Sequence, residues 1–381
     1  MIRFLLIYLT IYSLAHAYAF HKIKKVFPFG RRGHIGIILF MAVMVATPLL
    51  VRLAEQRGVE TGARVLSYAG YTWMGLLFLF VVLTSAVDII RWMILKAETM
   101  ALARPARVWI SPRPLMTMQI VLVLALYGYG LFEAADIRLE QVEISSPKIP
   151  ANPCRIRIVQ ISDVHLGLII REGRLKRILA KIEEAHPDIL VSTGDLVDGQ
   201  LNHLTREATL LAALTPALGK FAITGNHEFY AGLQNALDFT RQSGFTVLRQ
   251  QGISTGGINF VGVDDHALNG RSPGAVQSRE RDILLAQPSD TFTVLLKHRP
   301  DINPQSLGHF DLQLSGHTHK GQIFPFNLFT WLAYPQKAGH LTRLDNGLLY
   351  VSRGTGTWGP PIRLLAPPEI TIIDLIHGES K

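Results

Sequence analysis

The chain has 381 residues, 48% of them hydrophobic, with a mean hydropathy of +0.24 and a net charge of +9. That length allows one sizeable core and an additional region, and such hydropathy argues against a purely water-soluble enzyme. Residues 1–135 hold 14 Lys and Arg against 5 Asp and Glu, whereas residues 136–381 hold 24 of each. The basic excess therefore belongs to loops that face anionic lipid. The neutral remainder has no basic tract with interleaved aromatics, which excludes a nucleic-acid footprint.

Residues 4–20, 35–51, 66–87 and 115–132 are apolar runs without Asp, Glu, Lys or Arg. Each approaches or reaches the ~20 residues that span a bilayer, so residues 1–135 are expected to form a transmembrane region of four helices. The first loop carries Lys22, Lys24, Lys25, Arg31 and Arg32, and the third carries Arg91, Lys96, Arg104, Arg107 and Arg113. The loop between them has only Arg52, Arg57 and Arg64, offset by Glu55 and Glu60. The positive-inside rule puts the first and third loops in the cytoplasm. The fourth helix then leads outward, and the rest of the chain is expected on the extracytoplasmic face of the cell (inner) membrane. The first run also resembles a cleaved signal sequence, with Arg3 before it and Ala15 and Ala17 near its end. Cleavage would expose the basic first loop outside, against the charge rule. No run holds an Asp, Glu, Lys or Arg that would mark an ion path, which argues against transport.

From residue 136 the pattern changes to short apolar runs, each closed by Gly or a polar residue, the mark of buried strands. An opening strand near 138–144 leads through a loop with three prolines, which holds the sequence close to the membrane. Strands are expected at 155–161, 188–192, 221–224, 293–297 and 312–314. Between the first two, Leu175, Ile178, Leu179 and Ile182 recur at helical spacing, giving a βαβ unit whose ligands collect at the strand carboxyl ends. The lone cysteine, Cys154, excludes an intramolecular disulfide.

The residues at those ends are metal-binding types in a fixed order. They are Asp163 and His165; Gly194 and Asp195; Gly225, Asn226, His227 and Glu228; His298; then Gly316, His317, Thr318 and His319. Two divalent cations about 3.5–4 Å apart can clamp a phosphoryl group and activate a water. Such a pair needs a carboxylate shared by both ions, with imidazole and oxygen donors on either side. Asp163, His165 and one histidine of the last cluster can hold one ion. Asn226, His298 and the other histidine can hold the second, and Asp195 is the natural bridge. No thiolate takes part, which favours Mn, Fe or catalytic Zn over a structural zinc. Other residues have both structural and functional readings. Asp198 reads as a turn residue or as an acceptor for a ligand histidine, and Arg299 as a surface arginine or a phosphate contact. Asp264, Asp265 and His266 read as a loop after a strand. Arg353, Thr355 and Trp358 read as turn residues or as cleft lining.

The ordered motifs D-x-H, GD, GNH, H and GHxH resemble the calcineurin-like metallophosphoesterase superfamily over residues 137–376. The runs at 316–322, 350–354 and 367–371 resemble its membrane-associated YkuE/YaeI-like branch. In that branch a glycine commonly follows the second histidine; this chain has Lys320. The resemblance implies an α/β fold, an αββα sandwich over residues 136–381 after the transmembrane region. It implies two divalent metal ions, one held by Asp163, His165, Asp195 and His319 and the other by Asp195, Asn226, His298 and His317. It further implies that a metal-bridging hydroxide attacks phosphorus while His227 protonates the leaving oxygen. The expected function is hydrolysis of phosphodiesters, with a lipid-linked or envelope phosphoester as substrate. One alternative is a lipid pyrophosphatase of the UDP-diacylglucosamine type at the cytoplasmic leaflet. Another is an inactive membrane sensor or scaffold, against which the intact ligand set and His227 argue.

Overall fold

The computed structural model describes residues 2–100, 111–199, 201, 203–265 and 273–379. The chain divides into two compact units, one of Met1–Phe132 with Gly359–Ile362 and one of Glu133–Trp358 with Arg363–Lys381.

The first unit is built on α1 (Ile2–Val26), α2 (Arg31–Gln56), α3 (Glu60–Thr99) and α4 (Pro112–Ala135). Three helices have the length and hydropathy to cross a membrane: Arg31–Gln56, Glu60–Ala97 and Pro112–Ala135. The expectation of four spans is thereby corrected to three among the described residues. Residues 4–20 are helical as expected, but Tyr8, Tyr12, His16 and Tyr18 dilute the apolar character of α1. Two of these residues, His16 and Tyr18, are used against α3. The Trp73 indole N–H donates to His16 Nε2 at 2.8 Å, and Tyr18 and Lys22 both bind Asp88. α3 has 40 residues, and at ~1.5 Å per residue it is about twice as long as a ~30 Å hydrocarbon core. Ile11, Leu39, Val65 and Val121 stand exposed on these helices, a surface suited to lipid and penalised in water. The basic residues assigned to the first and third loops largely occupy helix ends, and Arg104 and Arg107 lie outside the described residues.

In the second unit the elements run β1 (Arg138–Ser146), β2 (Arg155–Ile161), α5 (Glu172–Glu184), β3 (Ile189–Ser192), α6 (Thr205–Ala212) and β4 (Lys220–Ala222). Next come α7 (Asn226–Tyr230), α8 (Leu233–Gln242), β5 (Thr246–Val247), β6 (Gln251–Thr255), β7 (Ile258–Gly262) and α9 (Pro273–Leu285). The chain ends through β8 (Thr293–Leu296), β9 (Leu312–Ser315), α10 (Asn327–Ala333), β10 (Leu341–Leu344), β11 (Gly347–Val351) and β12 (Glu369–His377).

The strands form two six-stranded sheets, ordered β1-β12-β2-β3-β4-β5 and β10-β11-β9-β8-β7-β6. β2, β3 and β4 are parallel neighbours, as are β7, β8, β9 and β11 in the other sheet. Alternation along each strand assigns the faces. Ile156 and Ile158 of β2, Ile189 and Val191 of β3, Val294 and Leu296 of β8, and Leu312 and Leu314 of β9 share one buried cluster between the sheets. The intervening residues Val159, Ile161 and Leu190 face α5, α6 and α8 on the outer side. α5 meets them with Leu175, Ile178, Leu179 and Ile182, all buried. On the far side Leu284 of α9 packs against Val261 and Leu295. The result is the αββα sandwich expected from the sequence, with the parallel strands of both sheets pointing their carboxyl ends into the loops that carry the polar motifs.

Candidate metal centre

Each motif begins where a strand stops. β2 delivers Ser162 and Asp163, β3 delivers Asp195, and β4 delivers Asn226 and His227 at the start of α7. From the second sheet, β8 delivers His298, and β9 delivers His317 and His319. Hydrogen bonds stitch the two sets together. The His317 backbone N–H donates to both carboxylate oxygens of Asp163, at 3.1 and 3.0 Å, and His298 Nδ1 lies 2.8 Å from the Thr193 carbonyl. A ring nitrogen beside a carbonyl must carry the proton, so His298 turns Nε2, with its lone pair when neutral, towards the site.

Three groups of side chains bring ligand-type atoms within 4.8 Å of one another: Asp163 with His165 and His319, Asp195 with His298 and His317, and His165 with Asp195 and His227. His165 Nε2 and His319 Nε2 are 3.0 Å apart, and His298 Nε2 and His317 Nδ1 are 3.2 Å apart. Two imidazole nitrogens this close either share a proton or turn to one cation. Asp195 lies between the groups. Its Oδ2 is 3.3 Å from His298 Nε2 and 3.9 Å from His165 Nε2, and its Oδ1 accepts the His227 backbone N–H at 2.8 Å. Asn226 Oδ1 is buried with no hydrogen-bond partner, and a buried amide oxygen left this way costs free energy unless something else binds it. A hard oxygen donor among imidazoles and carboxylates, with no thiolate, fits a divalent cation.

The electrostatics follow from burial and close charges. Burial pushes the Asp163 carboxyl up, and the nearby Asp195 carboxylate adds to it, against the pull of His298 and His165. Burial acts in the same sense on Asp195, but His298, His227 and His165 overcome it and hold this carboxyl well below the usual range. Burial disfavours the charged form of His298, yet Asp195 reverses this and the ring is pushed up to about 10. His317 is lowered to about 3, by burial first and then by His298. Of the pair, the Asp195 carboxylate thus favours a positive charge on His298 over one on His317. His319 is lowered well below its ordinary value by burial and by Arg363.

The backbone is bent sharply to bring these groups together. Asp163 (φ 53°), His165 (55°), Asp195 (51°), His317 (69°) and His319 (47°) all adopt the left-handed region, where Asp and His are enriched among non-glycine residues and where functional sites store strain. Lys320 does so too, at φ 51°, a conformation that glycine adopts without steric cost. Two motif glycines are required by close approach. A Cβ on Gly225 would lie 2.2 Å from Asp195 Oδ1, and one on Gly316 would lie 1.9 Å from Ser162 Oγ.

All seven expected ligand residues and His227 are brought to this region. His227 sits beside Asp198, with Nδ1 2.7 Å from the Asp198 carbonyl and 3.1 Å from its Oδ1. Burial opposes the charged ring of His227, but Asp195 and Asp198 push it up to about 10. Asp198 Oδ1 also lies 3.3 Å from His165 Nδ1, which sets this carboxylate between the two rings. Arg299 is not a solvated surface residue: it donates to Asp265 at 2.7 Å and to the Tyr334 hydroxyl at 2.9 Å. Asp265 and Asp264 both take part in ion pairs, Asp264 with Arg249; His266 lies outside the described residues. Arg353 is paired with Glu140 and Glu369, and the Thr355 hydroxyl donates to the Glu369 carbonyl. Of that stretch, Trp358 reaches the site, with its ring 6.0 Å from the His227 ring.

Two supporting residues were not recognised from the sequence. The buried Glu228 carboxylate accepts N–H bonds from Gly225 (2.6 Å), Leu196 (2.8 Å), Asp195 (3.0 Å) and Val197 (3.4 Å), binding two motif loops together. Arg363 is fully buried and donates to His319 Nδ1 at 3.0 Å and to the His319 carbonyl at 3.0 Å. Glu228 stands next to His227 and could have been suspected as a cap that reaches back to the loop before α7. Arg363 sits in a proline-flanked stretch with no motif around it.

Residues 156–321 match the calcineurin-like phosphoesterase family. An uncharacterized metallophosphoesterase of Aquifex aeolicus is 39% identical over 65% of this chain and 95% of its own length. A transmembrane protein with metallophosphoesterase domain from Danio rerio is 32% identical, over 68% of this chain and 62% of its own. The uncharacterized metallophosphoesterase YkuE of Bacillus subtilis is 33% identical, over 65% of this chain and 89% of its own. Together with the three apolar helices, these relatives describe a membrane protein with a metallophosphoesterase domain.

Replacing Glu228 by Ala should strip an acceptor from four buried N–H groups, each costing about 1–3 kcal/mol when orphaned. The expected outcome is a lower unfolding midpoint and reduced metal content in the purified full-length protein. Glu228→Gln, which keeps one acceptor oxygen, should fall between the two in a thermal melt followed by elemental analysis.

Proposed function

This chain belongs to the calcineurin-like phosphoesterase family, and on that premise we propose that it is a membrane-anchored phosphodiesterase dependent on two divalent cations. The observation that carries the reading is Asp195, whose carboxylate lies between His165 and His298 and so between the two ligand groups. Asp163, His165 and His319 would hold one cation with Asp195; Asn226, His298 and His317 would hold the other with it. Mn, Fe and Zn all suit this donor set. When bound, such a pair supplies Lewis acidity for the phosphoryl oxygens and lowers the pKa of water.

The chain's own residues supply the rest. His227 is oriented by the Asp198 carbonyl at Nδ1, which leaves Nε2 as the atom that would pass a proton to the leaving oxygen. Asp198, touching both His165 and His227, would fix the two rings relative to each other. Trp358, edge-on to His227, offers an apolar wall on which a substrate group can rest.

The substrate reading is a lipid-linked or envelope phosphodiester, favoured because the domain follows α4 after only two residues, Asp136 and Ile137. The side of the inner membrane is read from charge. The stretch between α3 and α4 holds Arg104 and Arg107, with Arg113 at the start of α4. A cytoplasmic position for that stretch sends α4 outward whether or not α1 spans.

Purified full-length protein with Mn²⁺ should hydrolyse bis-p-nitrophenyl phosphate. Asp195→Ala should lower turnover more than ~100-fold, beyond the ~10–100-fold carried by outer partners of a metal site. Equal rates from both proteins would refute the assignment. For the orientation, a periplasm-dependent reporter enzyme fused after Lys381 should be active; an active cytoplasm-dependent reporter at the same position would reverse the sidedness.

A further inference from the structure

Six large apolar side chains stand exposed within nine residues: Phe324, Phe326, Leu328, Phe329, Trp331 and Leu332, at 44–73% exposure. Among the described residues of the second unit there are eleven exposed large hydrophobics, so more than half are gathered here. That is a patch rather than the scattered exposure normal for a protein surface. α10, which carries four of the six, buries none of its seven residues. A short helix with no face in the core gains nothing from the protein interior in return for its ordering. Its apolar side chains call for another medium.

The segment is firmly held at its base. Gln322 donates to the Trp358 carbonyl at 2.7 Å and accepts the Trp358 N–H at 2.9 Å. The Phe324 N–H donates to the Leu364 carbonyl at 3.1 Å, and the Leu364 N–H donates to the Gln322 carbonyl at 2.9 Å. At its other end α10 runs into Tyr334, whose ring lies 5.4 Å from the His317 ring. The patch is thus anchored at its base within the second unit and reaches, through Tyr334, the metal centre.

We propose that α10, with Phe324 and Phe326 before it, is a membrane-docking element whose occupant is the surface of a lipid bilayer. Trp, Phe and Leu are the residues that seat a short helix at the boundary of headgroups and acyl chains. Lys337, exposed four residues after α10, is positioned for anionic headgroups. The linker of Asp136 and Ile137 spans about 10 Å at most, at ~3.3–3.6 Å per residue over three virtual bonds, so the bilayer is the apolar medium within reach. Seated this way, the element brings the metal centre to the level of headgroup phosphates.

The experiment is nitroxide labelling of the full-length chain in lipid nanodiscs of phosphatidylcholine with phosphatidylglycerol. Exposed Cys154 is first replaced (Cys154→Ser). Labels are then placed through Phe329→Cys, Leu332→Cys and, as an exposed control in the turn after β10, Asp345→Cys. Collision rates are measured with oxygen and with a water-soluble nickel chelate. At 329 and 332 the ratio of oxygen to nickel collisions should be several-fold higher than at 345. A ratio equal to that at 345 would place the patch in water. Low collision rates with both reagents would mean that protein covers it, including a second copy of this chain. Either result overturns the proposal. The readout needs no catalysis, so it stands apart from the fate of the phosphodiesterase reading.

Discussion

A buried carboxylate with nowhere to place its charge is the constraint around which this domain is organised. Asp195 is 2% exposed and sits at the end of a central strand, between two clusters of imidazole. Isolated in an apolar interior, an ionised carboxylate is very costly. Here its Oδ1 is fixed by the His227 N–H, and its Oδ2 is directed at His298 and His165. The same negative potential that draws protons onto His298 and His227 would draw cations. Positive charge at this point, as protons or as metal, compensates the burial.

Holding that carboxylate in place requires backbone that the chain would not choose by itself. Five of the proposed ligands lie in left-handed conformations, at a cost of about 1–3 kcal/mol each if fully strained. The compensation is distributed. Glu228 gathers four N–H groups from two loops, Arg363 braces His319 from beneath, and the sandwich core of Ile, Val, Leu and Phe fixes the strands from which the loops hang. Asp198 links His165 and His227 from outside the ligand set. The centre is therefore a property of the whole sandwich, and its glycines mark where backbone and carboxylate come closest.

Much of this arrangement is legible in the amino-acid order. β2 ends at Ile161, as its apolar alternation predicts, and α5 buries the four residues whose spacing announced it. Asp163, Asp195, Asn226 and the three later histidines could be found because each follows an apolar run at a point where a strand must stop. What stayed hidden depends on contacts between distant parts of the chain. Arg363 reaches a histidine 44 residues away, and the bond from Glu228 to the Asp195 N–H crosses 33 residues; neither leaves a local period to read. The first apolar run looks more like a span than it is, because His16 and Tyr18 serve contacts with α3 that a count of charged residues ignores. The exposed face of α10 has no signature in the sequence, because its apolar residues look like any other short buried run until the fold leaves them outside.

The most direct test of the central claim is anomalous X-ray diffraction from crystals of the full-length protein loaded with Mn²⁺. Two anomalous peaks about 3.5–4 Å apart should flank the Asp195 carboxylate, one among Asp163, His165 and His319 and the other among Asn226, His298 and His317. A single peak, or peaks not bridged by Asp195, would contradict the account.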